Sequence, residues 1–271
     1  MSAATASCWP FNHFVETGVR MKSLILGAFL GSLAFFPALA ADMPVKARPL
    51  APAAYNWSGI YAGANVGVAW DHLRAVDQTA PSGGFFTDLV PAGTEGFDLN
   101  KAGVAGGLQL GAQTQWSGFV FGLEATYSLM DLNKTITSPY FPASDTETGK
   151  IQHLVTGVAR VGYAFDRMMV YAKGGYAGAE VGFKARDNVA GVTYERNLWQ
   201  NGFALGAGFE YALTNSLTLG VDYTHVDLGT GTSTGSNVLD AGGVGVNPET
   251  YDTKAKIDLI TARINYKFSM F

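Results

Sequence analysis

Apolar and small polar residues alternate along most of this chain, and the clearest stretch runs from Ala102 to Leu129. Its first arm puts Ala102, Val104, Leu108, Leu110, Ala112 and Trp116 on one face, against Lys101, Gly103, Gln109, Gln113 and Gln115. Ser117-Gly118 makes a turn. Phe119, Phe121, Leu123, Ala125, Tyr127 and Leu129 then oppose Val120, Gly122, Glu124, Thr126 and Ser128. Successive strand side chains point to opposite sides, so the pattern predicts a hairpin with one apolar and one polar face. Each arm exceeds the roughly 9–11 residues that a tilted strand needs to cross a bilayer. A soluble sheet would bury the apolar face in a core, whereas a membrane barrel would turn it to lipid and keep the polar face in the lumen.

The same alternation predicts six more strands. They cover Trp57 to Trp70, His153 to Phe165, Met169 to Tyr176, Trp199 to Tyr211, Leu217 to Thr224, and about Ile257 to Phe268. Three connections are short: Ser117-Gly118, Asp166-Arg167 and Thr214-Asn215. Four are long: Asp71–Asn100, Met130–Lys150, Glu180–Arg196 and Gly229–Asp252. Long and short connections alternate strictly. The expected fold is therefore all-β: an eight-stranded antiparallel up-and-down transmembrane β-barrel with short periplasmic turns and four long extracellular loops. Aromatic residues point the same way. Trp57, Trp116, Phe119, Phe165, Tyr211, Tyr266 and Phe268 fall at the short-turn end, and Trp70, Tyr127, Trp199 and Tyr223 at the other, as two interfacial belts would.

Composition agrees with a membrane strand protein. Charged residues are 15% of the chain and glycines number 34, against about 25% charged in soluble domains. The mildly acidic balance, without a basic run, argues against nucleic acid as a partner. The single cysteine, Cys8, excludes an intrachain disulfide and a cysteine-based metal site. No cofactor motif is present, so none is expected.

The N-terminus carries an address. Met21-Lys22 opens a basic region, Leu24 to Phe36 is an apolar run, and Ala38-Leu39-Ala40 fits a small-x-small cleavage signal. Residues 21–40 are read as a secretory signal peptide cleaved between Ala40 and Ala41. Residues 1–20 fit that signal poorly and are read as an upstream extension, with a long signal n-region as the alternative. Residues 41–56, with Pro44, Pro49 and Pro52, read as a periplasmic linker, and 57–271 as the barrel.

The signal, the Pro/Ala linker and Asn56-Trp57-Ser58-Gly59-Ile60-Tyr61-Ala62-Gly63 resemble the start of small alphaproteobacterial outer-membrane barrels, the porin-family, OmpA-like and Opa-like surface proteins. Arg160 to Arg167, Gly206 to Thr214, Tyr223 to Gly229, and Arg263 to Phe268 extend the resemblance over most of the mature chain. It implies residence in outer-membrane lipid. It also implies recognition of the last strand by the barrel-assembly machinery, through Tyr266, Phe268 or Phe271. Such chains usually end on the last aromatic of the strand; here Ser269-Met270-Phe271 follow Phe268, and Arg263 stands where glycine is frequent.

Inward positions include three acids, Glu124, Glu210 and Asp222, and three bases, Arg160, Lys173 and Arg263. Eight strands enclose a lumen just wide enough for side chains to fill. Unpaired charge there would be costly, so the six are expected to form a paired lumen network that plugs the barrel. The alternative is a narrow path for small solutes or ions, with inward glycines such as Gly63, Gly107 and Gly206 leaving watery gaps. A hydrolase at the outer rim is a third reading, resting on His72, His153 and His225 with neighbours Asp71 and Asp227. No serine-hydrolase elbow or HExxH motif accompanies them. The expectation is a non-enzymatic envelope protein whose long loops carry any surface ligand.

Overall fold

The computed structural model describes residues 55–78 and 93–268. The expected upstream extension, signal peptide, cleavage site and most of the linker lie outside the described residues, as does Phe271. Eight strands run β1 (Gly59–Asp77), β2 (Thr94–Trp116), β3 (Phe119–Thr137), β4 (Asp145–Phe165), β5 (Met168–Asp187), β6 (Val192–Ala212), β7 (Leu217–Leu239) and β8 (Val244–Phe268). Each pairs antiparallel with the next, and β1 pairs with β8 from Ile60↔Phe268 to Asp77↔Tyr251, closing the barrel.

In the half nearest the short turns the faces are as the alternation predicts. Leu108, Leu110, Leu123, Val161, Leu205, Val221 and Ile264 are exposed on the outer wall. Tyr61, Gln109, Glu124, Arg160 and Arg263 are buried inside. This is the polarity of a membrane strand, apolar outside and polar inside. No helix among the described residues is long and apolar enough to cross a membrane.

The four long loops need correction. β1, β3, β5 and β7 continue well past their expected ends, so the connections at that end shrink to residues 78–93, 138–144, 188–191 and 240–243. The reason is that alternation continues while its polarity inverts. On β5, Ala177, Ala179, Val181, Phe183 and Ala185 are buried inside, while Glu180, Lys184 and Arg186 alternate with them. On β8, Tyr251, Ala255 and Ile257 are buried, while Asp252, Lys254 and Lys256 alternate outward. These segments stand in water and bury their apolar face inward, as any soluble sheet does. Their interior is one apolar cluster that includes Leu73, Leu99, Leu132, Ile151, Val181, Phe183, Tyr194, Leu228 and Tyr251.

Two irregularities hide this continuity from a simple count. Against β5, β4 carries an extra residue between Ile151 and Leu154, and against β8, β7 carries one between Asp227 and Thr230, where Gly229 adopts φ 67°. Each bulge shifts the inward parity by one residue. In the outer half the ladder is also incomplete. β2–β3 pairing reaches only to Ala105↔Met130, and β6–β7 pairing skips from Phe203↔Asp227 to Thr193↔Val238. The barrel stays closed around the apolar cluster, with its ladder interrupted between β2 and β3 and between β6 and β7.

Trp57 is a second correction. It is not part of an outer belt: it is 0% exposed and packs inside the short-turn end with Tyr55, Val120, Met169 and Ala212. Its odd position shares the inward parity of Gly59 and Tyr61. Gln115 accepts its backbone N–H at 2.8 Å, and Gln113 donates to its carbonyl at 2.8 Å. The other belt aromatics at that end, among them Trp116, Phe119, Tyr266 and Phe268, are exposed.

Candidate functional site

The middle of the lumen holds all six inward charges in one cluster. β3 supplies Glu124, β4 Arg160, β5 Lys173, β6 Glu210, β7 Asp222 and β8 Arg263. Arg160 donates to Glu124 at 3.0 Å and to Glu210 at 2.5 Å. Lys173 binds Asp222 at 2.6 Å. Arg263 binds Glu124 and also lies 3.6 Å from both Glu210 and Asp222. The three acids and three bases cancel, and every side chain is nearly inaccessible to solvent. Attraction of this kind offsets the cost of burial only when the partners are also hydrogen-bonded.

The additional partners are residues that charge counting alone missed. Tyr61 donates its hydroxyl to Glu124 at 2.7 Å and accepts from Arg160. Tyr171 donates to Asp222 at 2.7 Å and accepts from Arg263 at 3.1 Å. The Arg160 guanidinium lies over the Tyr171 ring, 3.9 Å from its centroid. Thr224 donates to Asp222 at 2.8 Å. Their signal in the sequence was position: polar-capable side chains at inward parity beside the charges. The inward glycines are not watery gaps either. A Cβ at Gly111 would lie 2.3 Å from the Tyr61 ring, and one at Gly208 would lie 2.4 Å from the Tyr171 hydroxyl. Gly63, Gly107 and Gly206 are likewise crowded by Asn265, Ser128 and Lys173. Small positions on one strand admit long side chains from its neighbours.

A cavity of about 30 Å³ lies on the outer side of the network, lined by Asn65, Gln109, Thr126, Ser128, Thr156, Lys173 and Thr261 among others. That suits one or two buried waters. Above it the apolar cluster fills the lumen, and below the network Tyr55 and Trp57 fill the opposite mouth.

The outer cluster contains one misplaced charge. Glu147 on β4 is 0% exposed, between Ile136 of β3 and Ala185 of β5 in the ladder. No hydrogen bond of normal geometry reaches either carboxylate oxygen. Burial pushes its pKa up to about 7, the Ser138 hydroxyl offsets this in part, and Asp145 adds to it. Asp145, next along the same face, is also raised by burial.

The rim histidines do not assemble as the hydrolase reading requires. Asp71 is buried inside, so it faces away from His72, and Asp227 pairs with Lys256 at 3.0 Å. His153 contacts the Tyr127 hydroxyl at 2.9 Å. His225 has a carboxylate, but it is Asp258, at 2.8 Å, which also accepts from Tyr223 at 2.6 Å. Among the described residues, no group of three or more His, Cys, Asp or Glu could hold a metal ion.

A family model described as outer membrane protein beta-barrel domain matches residues 29–268. The 31 kDa outer-membrane immunogenic proteins of Brucella melitensis biotype 1 and Brucella suis biovar 1 are each 30% identical over 257 residues, covering 92% of this chain and 100% of the relative. Among solved structures, the outer membrane protease OmpT from Escherichia coli is similar with TM-score 0.50 at 10% identity, covering 78% of this chain and 97% of that one. OprG from Pseudomonas aeruginosa has TM-score 0.45 at 14% identity, covering 80% and 99%. The OmpT likeness is one of fold.

Proposed function

The chain belongs to the outer membrane protein β-barrel family and resides in the bacterial outer membrane, and from that premise we propose that it is a closed, non-catalytic barrel that anchors four hairpins at the cell surface. The observation that carries this reading is the filling of the lumen by three successive layers. Tyr55 and Trp57 occupy the short-turn mouth, the charge network the middle, and the apolar cluster the outer half. Short turns face the periplasm in such barrels, so the outer half and its hairpins face the exterior. The description of the Brucella relatives as outer-membrane immunogenic proteins supports a surface role of this kind. The missing alignment between the rim histidines and their expected acids supports a non-enzymatic reading. Reconstitution into planar lipid bilayers tests it. A correctly folded barrel, checked by heat-dependent gel mobility, is expected to give no discrete conductance steps. Steps that change when Glu124 or Arg160 is replaced by alanine would overturn the closed barrel in favour of a narrow pore.

A further inference from the structure

Three irregularities of the outer wall fall at one level. The β2–β3 ladder ends at Ala105↔Met130. β3 carries an extra residue between Leu129 and Leu132 against β4, and β4 carries one between Ile151 and Leu154 against β5. Bulges bend strands locally, so the three together mark a hinge line. Beyond it, residues 132–137 of β3 keep their ladder to β4, and residues 145–151 of β4 keep theirs to β5. The β3 edge that faces β2 is tied by side chains instead. Lys134 donates to the Asn100 carbonyl at 3.0 Å, and Tyr140 to the Glu95 carbonyl at 2.6 Å. Leu132, Ile136 and Phe141 pack this edge onto the apolar cluster.

Glu147 lies beneath that edge. It is fully buried, beside Ile136 and Ser138 of β3 and Ala185 of β5. The next inward position of β4, Gly149, abuts Leu73 of β1 and Leu99 of β2. The charges that face this region are acids. Asp145 stands on the same strand and Asp187 directly opposite it on β5, while β1 and β8 turn Asp77 and Glu249 inward at the same end. The cations are engaged elsewhere. Lys184 and Arg186 of β5 pair on the outer surface with Glu195 and Asp240, and Arg196 of β6 lies over the Tyr194 ring. Among the described residues, no ion pair includes Glu147 or Asp145. A carboxyl so placed is tolerated when neutral; once ionised it needs a counter-charge or water.

We propose that the outer ends of β3 and β4 form a proton-operated flap, closed on β2 while Glu147 is protonated and swung away from β2 when the proton leaves. Opening breaks the two side-chain ties at Asn100 and Glu95 and lets water reach the carboxylate, without parting β3 from β4 or β4 from β5. The device deepens the surface-hairpin reading and rests on its outward orientation, but not on whether the lumen conducts. Burial holds the Glu147 carboxyl at about 7 when the flap is closed, against an ordinary 4.5 in water. The closed form is therefore fully favoured below pH 4.5 and loses ground as the pH rises through 7. The ratio of open to closed barrels should rise about 40-fold between pH 5 and 7 and then level off.

The test is the alkylation rate of a cysteine placed under the flap. Leu99→Cys is made in the full chain with Cys8→Ser, reconstituted in lipid nanodiscs and treated with iodoacetamide. Each rate is divided by that of a free cysteine peptide at the same pH, and folding is checked by heat-dependent gel mobility. The corrected rate is expected to rise about 40-fold from pH 5 to 7, and to stay flat when Glu147→Gln is added. Leu132→Cys, on the inner face of the flap, gives the same readout if Leu99→Cys does not fold. Ala204→Cys, buried inside β6, is expected to show no such rise. A flat rate in the parent, or an equal rise in Glu147→Gln, overturns the proposal. So does a parallel rise at position 204, which would mean loosening of the whole barrel. Conductance steps would overturn the closed-barrel reading and leave the alkylation result standing, so the two failures are distinguishable.

Discussion

Arg160 illustrates how much of this barrel hangs on single buried side chains. It joins Glu124 and Glu210 across the lumen and packs on Tyr171. Arg160→Ala leaves Glu210 without its main counter-charge and Glu124 with Arg263 alone, and is expected to cost about 3–5 kcal/mol, measured as urea-induced unfolding in lipid vesicles. Arg160→Lys recovers only part of that loss, because an ammonium cannot span two carboxylates and stack on an aromatic face. Glu147 behaves in the opposite way. Its pKa in the folded barrel, about 7, lies above the ordinary value of 4.5, so folding favours the protonated form. The resulting stability is complete below about pH 4.5 and is lost as the pH rises through 7. Allowing for screening near the barrel mouth, the loss is on the order of 2 kcal/mol. Glu147→Gln is expected to flatten this dependence, making the variant more stable than the parent at pH 8 and nearly equal at pH 4. A parent barrel whose stability does not fall between pH 5 and 8 would remove the assignment.

At the scale of elements, the segment before β1 closes the short-turn mouth. Trp57→Ala removes a fully buried indole from the cluster with Tyr55, Val120 and Met169. A loss of about 3–5 kcal/mol is expected by the same unfolding measurement, whereas Trp116→Ala, on the exposed outer wall, should cost much less. Strand identity, pairing order and the short turns were legible in the sequence, because period-two alternation and turn residues are local signals. The six inward charges could be picked out on the same ground. Other features of the elements were not legible. An apolar outward face marks only part of each strand, although alternation runs on through Phe183 on β5 and Tyr251 on β8. The bulges at Gln152-His153 and at Gly229 shift parity, so the inverted pattern does not line up with the first. Trp57 fits a belt by residue type, but its parity places it inside.

For the whole molecule, the same wall meets two solvents. Near the short turns it meets lipid outside and encloses charge; farther out it meets water outside and encloses an apolar core. A charge scan along one face should map the boundary. Leu108→Arg, in the apolar band, is expected to cost about 2–4 kcal/mol in bilayers, falling to nearly nothing for Thr232→Arg beyond the belt. Equal costs at both depths would contradict the division. The interruptions of the outer ladder also belong to this scale, since they are visible only in the pairing between β2 and β3 and between β6 and β7.

The sequence by itself determined the number of strands, their order, their turns and which residues face inward across the membrane. These follow from neighbours in the chain, and a period of two residues is enough to specify them. Only the tertiary structure decided who pairs with whom inside. Arg160 meets Glu124 and Glu210 because β4, β3 and β6 curve around a narrow lumen, and the tyrosines fit because glycines on neighbouring strands leave them room. The interrupted ladders are likewise tertiary. Whether two strands stay 4.7–4.9 Å apart or part company depends on what fills the space between the walls, and that is a property of the closed barrel rather than of any one strand.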